Sequence, residues 1–190
     1  MAILEESIDM VSKAQRFAFE KHKNQKRKDS ITSFSDHLEG VVNRLKNLGI
    51  TNQEILSAAW LHDTIENTNT TFDEINQIFG NTISVLVLSL SKDVNLPNKE
   101  KELQYVQQLK KSSPQAKIIK FCDISSNLKD ISNSSLSKTQ KNKQVKKLFR
   151  YLRVIKKELS EMKSNYPRIQ ELFDGINSVG VKFHQRSIVI

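Results

Sequence analysis

The sequence predicts an all-α protein, one compact helical domain over residues 1–190 with about eight to ten helices. Three observations carry that expectation. Apolar residues recur at spacings of three and four along nearly every segment. Only five Gly and three Pro interrupt the 190 residues, and helix-capping signals stand before the apolar runs.

Leu4, Ile8, Val11, Gln15 and Ala18 mark a first helix. A second starts near Ser35 or Asp36, carries Leu38, Val41, Val42, Leu45 and Leu48, and stops at Gly49, which tolerates a left-handed backbone. Thr51 with Glu54 reads as a capping box opening a helix through Ile55, Leu56, Ala58, Ala59, Trp60 and Leu61. Thr71 with Glu74 opens another through Ile75, Ile78 and Phe79 to Gly80. The short run Ile83 to Leu90 is apolar on almost every side, and its helical neighbours decide for helix over strand. After the Leu96-Pro97 turn, Leu103, Val106 and Leu109 give a helix ending before Ser112-Ser113-Pro114, and Ala116 to Ile131 forms the next. Ser132 to Thr139 is polar and reads as a connection. Val145, Leu148, Phe149, Leu152, Ile155, Leu159 and Met162 then line a long amphipathic helix. A last short helix is expected from about Pro167 to Phe173, with a tail from Val181 to Ile190 that pairs as a strand or stays extended.

Composition narrows the function classes. The lone Cys122 has no partner for an internal disulfide and lies in an apolar run, which suits a reducing cytoplasm and a core role. No stretch reaches the roughly 18 apolar residues of a membrane span, and the first residues lack the order of a signal peptide. The expected location is cytoplasmic, with no membrane partner. A formal charge of +9, from 30 Lys and Arg against 21 Asp and Glu, attracts phosphate-bearing partners. Much of it lies in two runs, Lys21 to Lys28 and Lys138 to Lys147, which also read as solvated helix ends. Those runs hold no RNA-binding motif or aromatic stacking platform, so no nucleic-acid partner is expected; oligomeric state is open.

The chemistry concentrates on a few polar residues in apolar surroundings. His62-Asp63 ends a run of apolar turns, His37 begins the preceding helix, and Asp123 interrupts Ile118-Ile119-Lys120-Phe121-Cys122-Asp123-Ile124. A His-Asp dipeptide by itself also describes a neutral histidine bonded to a neighbouring carboxylate. Burying all four without compensation is costly, and one metal ion would satisfy them together. Two imidazoles and two carboxylates suit a divalent ion of intermediate hardness, Mn(II) or Fe(II), rather than a thiolate-bound structural zinc. Such an ion acidifies bound water and neutralises phosphoryl oxygens, which points to phosphate ester or anhydride hydrolysis. Glu66, four residues after His62, is a candidate proton carrier on the same face, or else an exposed helix-end carboxylate. Lys120, Asp123 and Asn127 share a second face, unless Lys120 extends to water.

These residues resemble the hydrolase domain of the RelA/SpoT homologue family, and within it the free-standing small alarmone hydrolases of the Mesh1 type. The resemblance runs through Gln25-Lys26-Arg27-Lys28-Asp29, His37, Ala58 to Thr68, Phe79-Gly80, Ser112 to Asp123 and Asn127-Leu128-Lys129-Asp130. It implies a single HD-type metal-dependent phosphohydrolase domain, Mn(II) on His37, His62, Asp63 and Asp123, Glu66 serving the attacking water or the leaving group, and removal of the 3′-pyrophosphate of ppGpp. It further implies that Arg27 packs on guanine, Lys28 faces phosphate, and Asn127 meets the ribose. Lys99, Lys101 and Lys129 fall where related enzymes grip phosphates.

Two departures stand out. Asn67 replaces the acid expected beside Glu66, and an amide carries no charge. Ile124-Ser125-Ser126 replaces basic and bulky residues, while Leu148 stands where an aromatic is expected. The alternatives are an HD phosphatase for another nucleotide such as NADPH, or a weakened alarmone-binding sensor.

Overall fold

The computed structural model describes residues 9–27 and 32–190. Among them run ten helices and no strand: α1 Met10–Lys21, α2 Phe34–Asn47, α3 Gln53–Leu61, α4 Thr64–Asn67, α5 Phe72–Phe79, α6 Asn81–Leu90, α7 Asn98–Lys111, α8 Pro114–Asn133, α9 Lys138–Met162 and α10 Ile169–Lys182. An isolated bridge joins Lys26 to Ser33. Leu4, Ile8 and Lys28 fall outside the described residues.

Capping chemistry fixes most boundaries. Asp9 accepts from the amides of Val11 and Ser12 to start α1, and Thr71 accepts from Glu74 N to start α5. Gly49 and Gly80 adopt φ of 91° and 83°, a region that other residues enter at a cost. At α3 the expected cap shifts by one residue. Asn52, not Thr51, accepts from Ile55 N, because an Asn side chain at this position reaches the third amide as well as Thr does.

Three other boundaries differ from the sequence reading. α8 runs on through Ser132 and Asn133, with Ser132 bonding back to the Leu128 carbonyl. The polar connection is therefore short, and Ser137 with Gln140 forms a full capping box for α9. The last helix starts at Ile169 and continues past Phe173 to Lys182. Gly175 sits in open space, whereas a Cβ on Gly180 would lie 2.1 Å from Phe149 Cζ, so Gly180 permits close packing of α10 on α9. From Gln185 onward the tail is irregular, tied by Asn177 to both polar atoms of the Ile188 backbone.

α8 is the spine. It packs on α2, α3, α6, α9 and α10, and twelve of its residues are buried. Ile118, Ile119, Phe121, Cys122 and Ile124 join one apolar core with Leu38, Leu61, Phe149 and Phe173. Burying such side chains contributes about 1.5–3 kcal/mol each. Their packing sets the polar residues of the same helix against α2 and α3.

Candidate metal centre and the cavity above it

His37 lies one turn into α2, with its imidazole fully enclosed. Every residue of α3 from Ile55 to Leu61 is buried, and this apolar segment delivers His62 as its C-cap. There the helix breaks. Asp63 precedes the separate single turn α4 without capping it through its side chain, so Glu66 and His62 do not share one continuous helix as their spacing predicts. Asp123 comes from the middle of α8.

The three elements bring His37, His62 and Asp123 together, with one ligand atom from each lying within 4.8 Å of the others. Asp63 Oδ2 flanks them at 3.5 Å from His62 Nε2 and 3.8 Å from His37 Nε2. His62 Nδ1 lies 2.7 Å from the Ala59 carbonyl, which makes Nδ1 the donor, so the neutral ring turns its Nε2 lone pair to the group. Asp130 Oδ2 stands 3.7 Å behind His37 Nδ1. His37 Nε2 approaches Asp123 Oδ1 to 3.2 Å without hydrogen-bond geometry, and His62 Nε2 is also buried without a hydrogen bond. Two orphaned imidazole nitrogens beside buried carboxylate oxygen form a donor set that a divalent transition ion fits.

Without a metal, the carboxylates set the charge state of the group. Burial pulls the His62 pKa down, but the Asp63 and Asp123 carboxylates outweigh it and hold it up at about 9. Burial pushes Asp123 up, yet Lys120 and both histidines keep it well below the usual carboxylate range. Lys120 is buried and donates to Asp123 Oδ2 at 2.7 Å, so it pairs inward rather than reaching water. Asn127 donates to Asp123 Oδ1 from one turn further on.

A cavity of about 330 Å³ opens over this group. On one side Arg27 lies 5.3 Å over the Phe34 ring, donating to Asn127 Oδ1 at 2.6 Å and to Asp130 Oδ2 at 3.0 Å. Glu66 and Asn67 line it from α4. Glu66 accepts from the backbone amide of Lys92 at 3.0 Å and from its ammonium at 3.3 Å. Asn67 is exposed, and its carbonyl accepts from Gln25.

The structure does not bring every sequence candidate to this cavity. Lys99 and Lys129 are exposed, Lys101 donates to the Val94 carbonyl, and none of the three is part of the lining. The lining cations are Lys26, Arg27, Lys92, Lys120 and Lys147. Lys92, Lys147 and Tyr151 had no role in the sequence reading. Burial and the nearby Lys120 ammonium pull Lys92 below the usual lysine range, against the carboxylate of Glu66. The signal for Lys147 was its place within the Lys138 to Lys147 run.

Comparison with known proteins shows the family and the fold. The HD domain family matches residues 14–154. The chain is 43% identical over 117 residues to the zebrafish (Danio rerio) protein named guanosine-3′,5′-bis(diphosphate) 3′-pyrophosphohydrolase MESH1, covering 60% of this chain and 65% of that one. The protein of the same name from Xenopus tropicalis is 40% identical over 124 residues, covering 64% and 69%. A bacterial protein from Aquifex aeolicus, named for the same activity, is 32% identical over 124 residues, which is 64% of this chain and 18% of the other. The match thus spans about 65% of the length of the first of these relatives. In fold, the chain superposes with a TM-score of 0.78 on a metazoan orthologue of SpoT described as hydrolysing ppGpp, at 24% identity, covering 93% of this chain and 97% of that one.

Proposed function

The chain belongs to the HD domain family, and from that membership we propose that it hydrolyses the 3′-pyrophosphate of ppGpp to GDP and pyrophosphate. One observation carries the reading. His37, His62 and Asp123 converge, with orphaned imidazole nitrogens, under a cavity lined by five cationic side chains. The names of the MESH1 relatives support the choice of substrate.

Mn(II) is the proposed ion, held by His37, His62, Asp123 and the flanking Asp63, and it would supply a Lewis acid for a phosphoryl oxygen and an acidified water. The protein's own groups do the rest. Glu66, anchored by Lys92, lines the same cavity as Asp63 and Asp123 and would hold a proton on its carboxylate during hydrolysis. Asn67, beside it, offers an amide for hydrogen bonding. Arg27, fixed by Asp130 and Asn127, presents a guanidinium plane for a guanine base, and Asn127 stands where a ribose would meet the group. Lys28 is proposed to face phosphate. Lys99, Lys101 and Lys129, which do not line the cavity, would grip phosphate only from outside it. The buried thiol of Cys122 suits the proposed cytoplasmic location.

The test is to incubate Mn(II)-loaded protein with ppGpp, NADPH and a panel of nucleoside phosphates while following released pyrophosphate and phosphate. Pyrophosphate from ppGpp is the expected product. Phosphate released from NADPH, with ppGpp untouched, would replace the reading by a nucleotide phosphatase. Binding of ppGpp without turnover would make the protein a sensor.

A further inference from the structure

Three ammonium groups from distant parts of the chain gather around one aromatic ring. Lys92 Nζ, from the segment between α6 and α7, lies 5.9 Å from the Tyr151 centroid; Lys120 Nζ of α8 lies at 5.6 Å and Lys147 Nζ of α9 at 5.9 Å. Tyr105 packs edge-on against Tyr151 at 5.2 Å and takes Lys92 and Lys120 at 4.8 and 5.3 Å. All three lysines and Tyr151 line the cavity over the metal-capable group. Like charges this close repel, and ring faces return only about 0.5–2 kcal/mol per cation.

Carboxylates hold the lysines in place. Lys92 pairs with Glu66 at 3.3 Å, Lys120 with Asp123 at 2.7 Å, and Lys147 with Glu102 at 2.5 Å. Tyr151 donates its hydroxyl to the same Glu102. Each ammonium has three N–H donors, so a single carboxylate leaves capacity for a further acceptor. Pairing of this kind reduces the conformational entropy a ligand must remove.

Position along α8 separates this cup from the base end. Asn127, which holds Arg27, is one turn after Asp123; Lys120 is nearly one turn before it, on the same face. A ligand with its base at Arg27 and one phosphate at the metal-capable group would extend any second phosphate toward Lys92, Lys120 and Lys147. We propose that Lys92 and Lys147, with Lys120, form a subsite for the distal phosphate of the scissile diphosphate and so favour pyrophosphoryl over monophosphoryl groups. This deepens the ppGpp reading and rests on it for the identity of the scissile group.

The experiment is calorimetric titration of the Mn(II)-loaded protein with inorganic pyrophosphate and, separately, orthophosphate. The wild type is expected to bind pyrophosphate at least tenfold more tightly. Lys147→Gln, and Lys92→Gln with Lys147→Gln together, should weaken pyrophosphate binding about tenfold or more and change orthophosphate binding less than threefold. Lys147→Arg should retain the preference. A wild type without preference, or a double variant that keeps it, would overturn the subsite. So would a Gln variant that weakens both anions equally while its thermal midpoint falls, because that is a structural effect. If ppGpp is not hydrolysed at all, the substrate assignment falls, whereas the ratio of the two anion affinities still judges the cup.

Discussion

The floor of the cavity and its lysine-rich wall are built on opposite principles. His37, His62 and Asp123 are almost fully buried, come from the first turn of α2, the end of α3 and the middle of α8, and are backed by the core beneath the cavity. Lys92 and Lys147 stand at the rim, with 14% and 44% of their side chains exposed, and are held by single carboxylates. A buried floor fixes geometry and tolerates no substitution. A rim of paired cations tunes affinity, since each pair is screened by water and contributes modestly.

Breaking the floor should have the largest effect. His62→Ala removes one of three convergent ligands, and the variant is expected to lose both bound metal, by elemental analysis, and turnover by about a thousandfold or more. A variant that retained stoichiometric metal would move the ion elsewhere. Glu66 belongs to both regions, since it stands beside the floor but is tethered to the rim lysine. Glu66→Gln should lower kcat on ppGpp by about a hundredfold. Asn67→Asp, which restores a charge next to it, should raise kcat by about tenfold, or roughly 1.4 kcal/mol of barrier. An unchanged kcat for both would take proton handling off α4. At the rim, Arg27→Ala should raise KM by about tenfold with a smaller change in kcat, because stacking and hydrogen bonding there act on the bound ground state. Equal KM would return Arg27 to a structural tie between Asp130 and Asn127.

The smallest expected effect is on stability, and it separates the regions by pH. His62 is held up at about 9 in the metal-free protein, so its contribution is fully present below the unfolded value near 6.5. That contribution is lost as pH rises through 9. The metal-free thermal midpoint should therefore fall by about 5 °C or more over that interval. With metal bound the fall should disappear, because metal binding requires the neutral imidazole. A flat profile for the metal-free protein would mean that the two carboxylates do not stabilise a charged His62.

The floor was legible in the sequence and the rim was not, for a physical reason. A carboxylate at Asp123 inside Ile118 to Ile124 is expensive wherever it folds, so the sequence alone marks it as needing partners. Lysine costs little at most surface positions, so nothing in the sequence singles out Lys92 and Lys147, which the fold sets around one ring, Tyr151. Helix positions followed from apolar spacing with the same asymmetry. α8 and α9 were clear from their apolar faces. The end of α10 was hidden because Gly175 and Gly180 look like stops, while Gly180 in fact makes room for the Phe149 ring. The break between His62 and Thr64 was equally invisible, since both flanking segments are helical.

That α8 is at once the spine of the core and the bearer of Lys120, Asp123 and Asn127 also bears on how long the molecule survives. A ligand gripped by its polar face stabilises the whole bundle by mass action, about 2.7 kcal/mol at a hundred times its dissociation constant. Proteases that cut only the opened chain act on a correspondingly smaller population. Occupied molecules are thus expected to outlast empty ones under proteolysis.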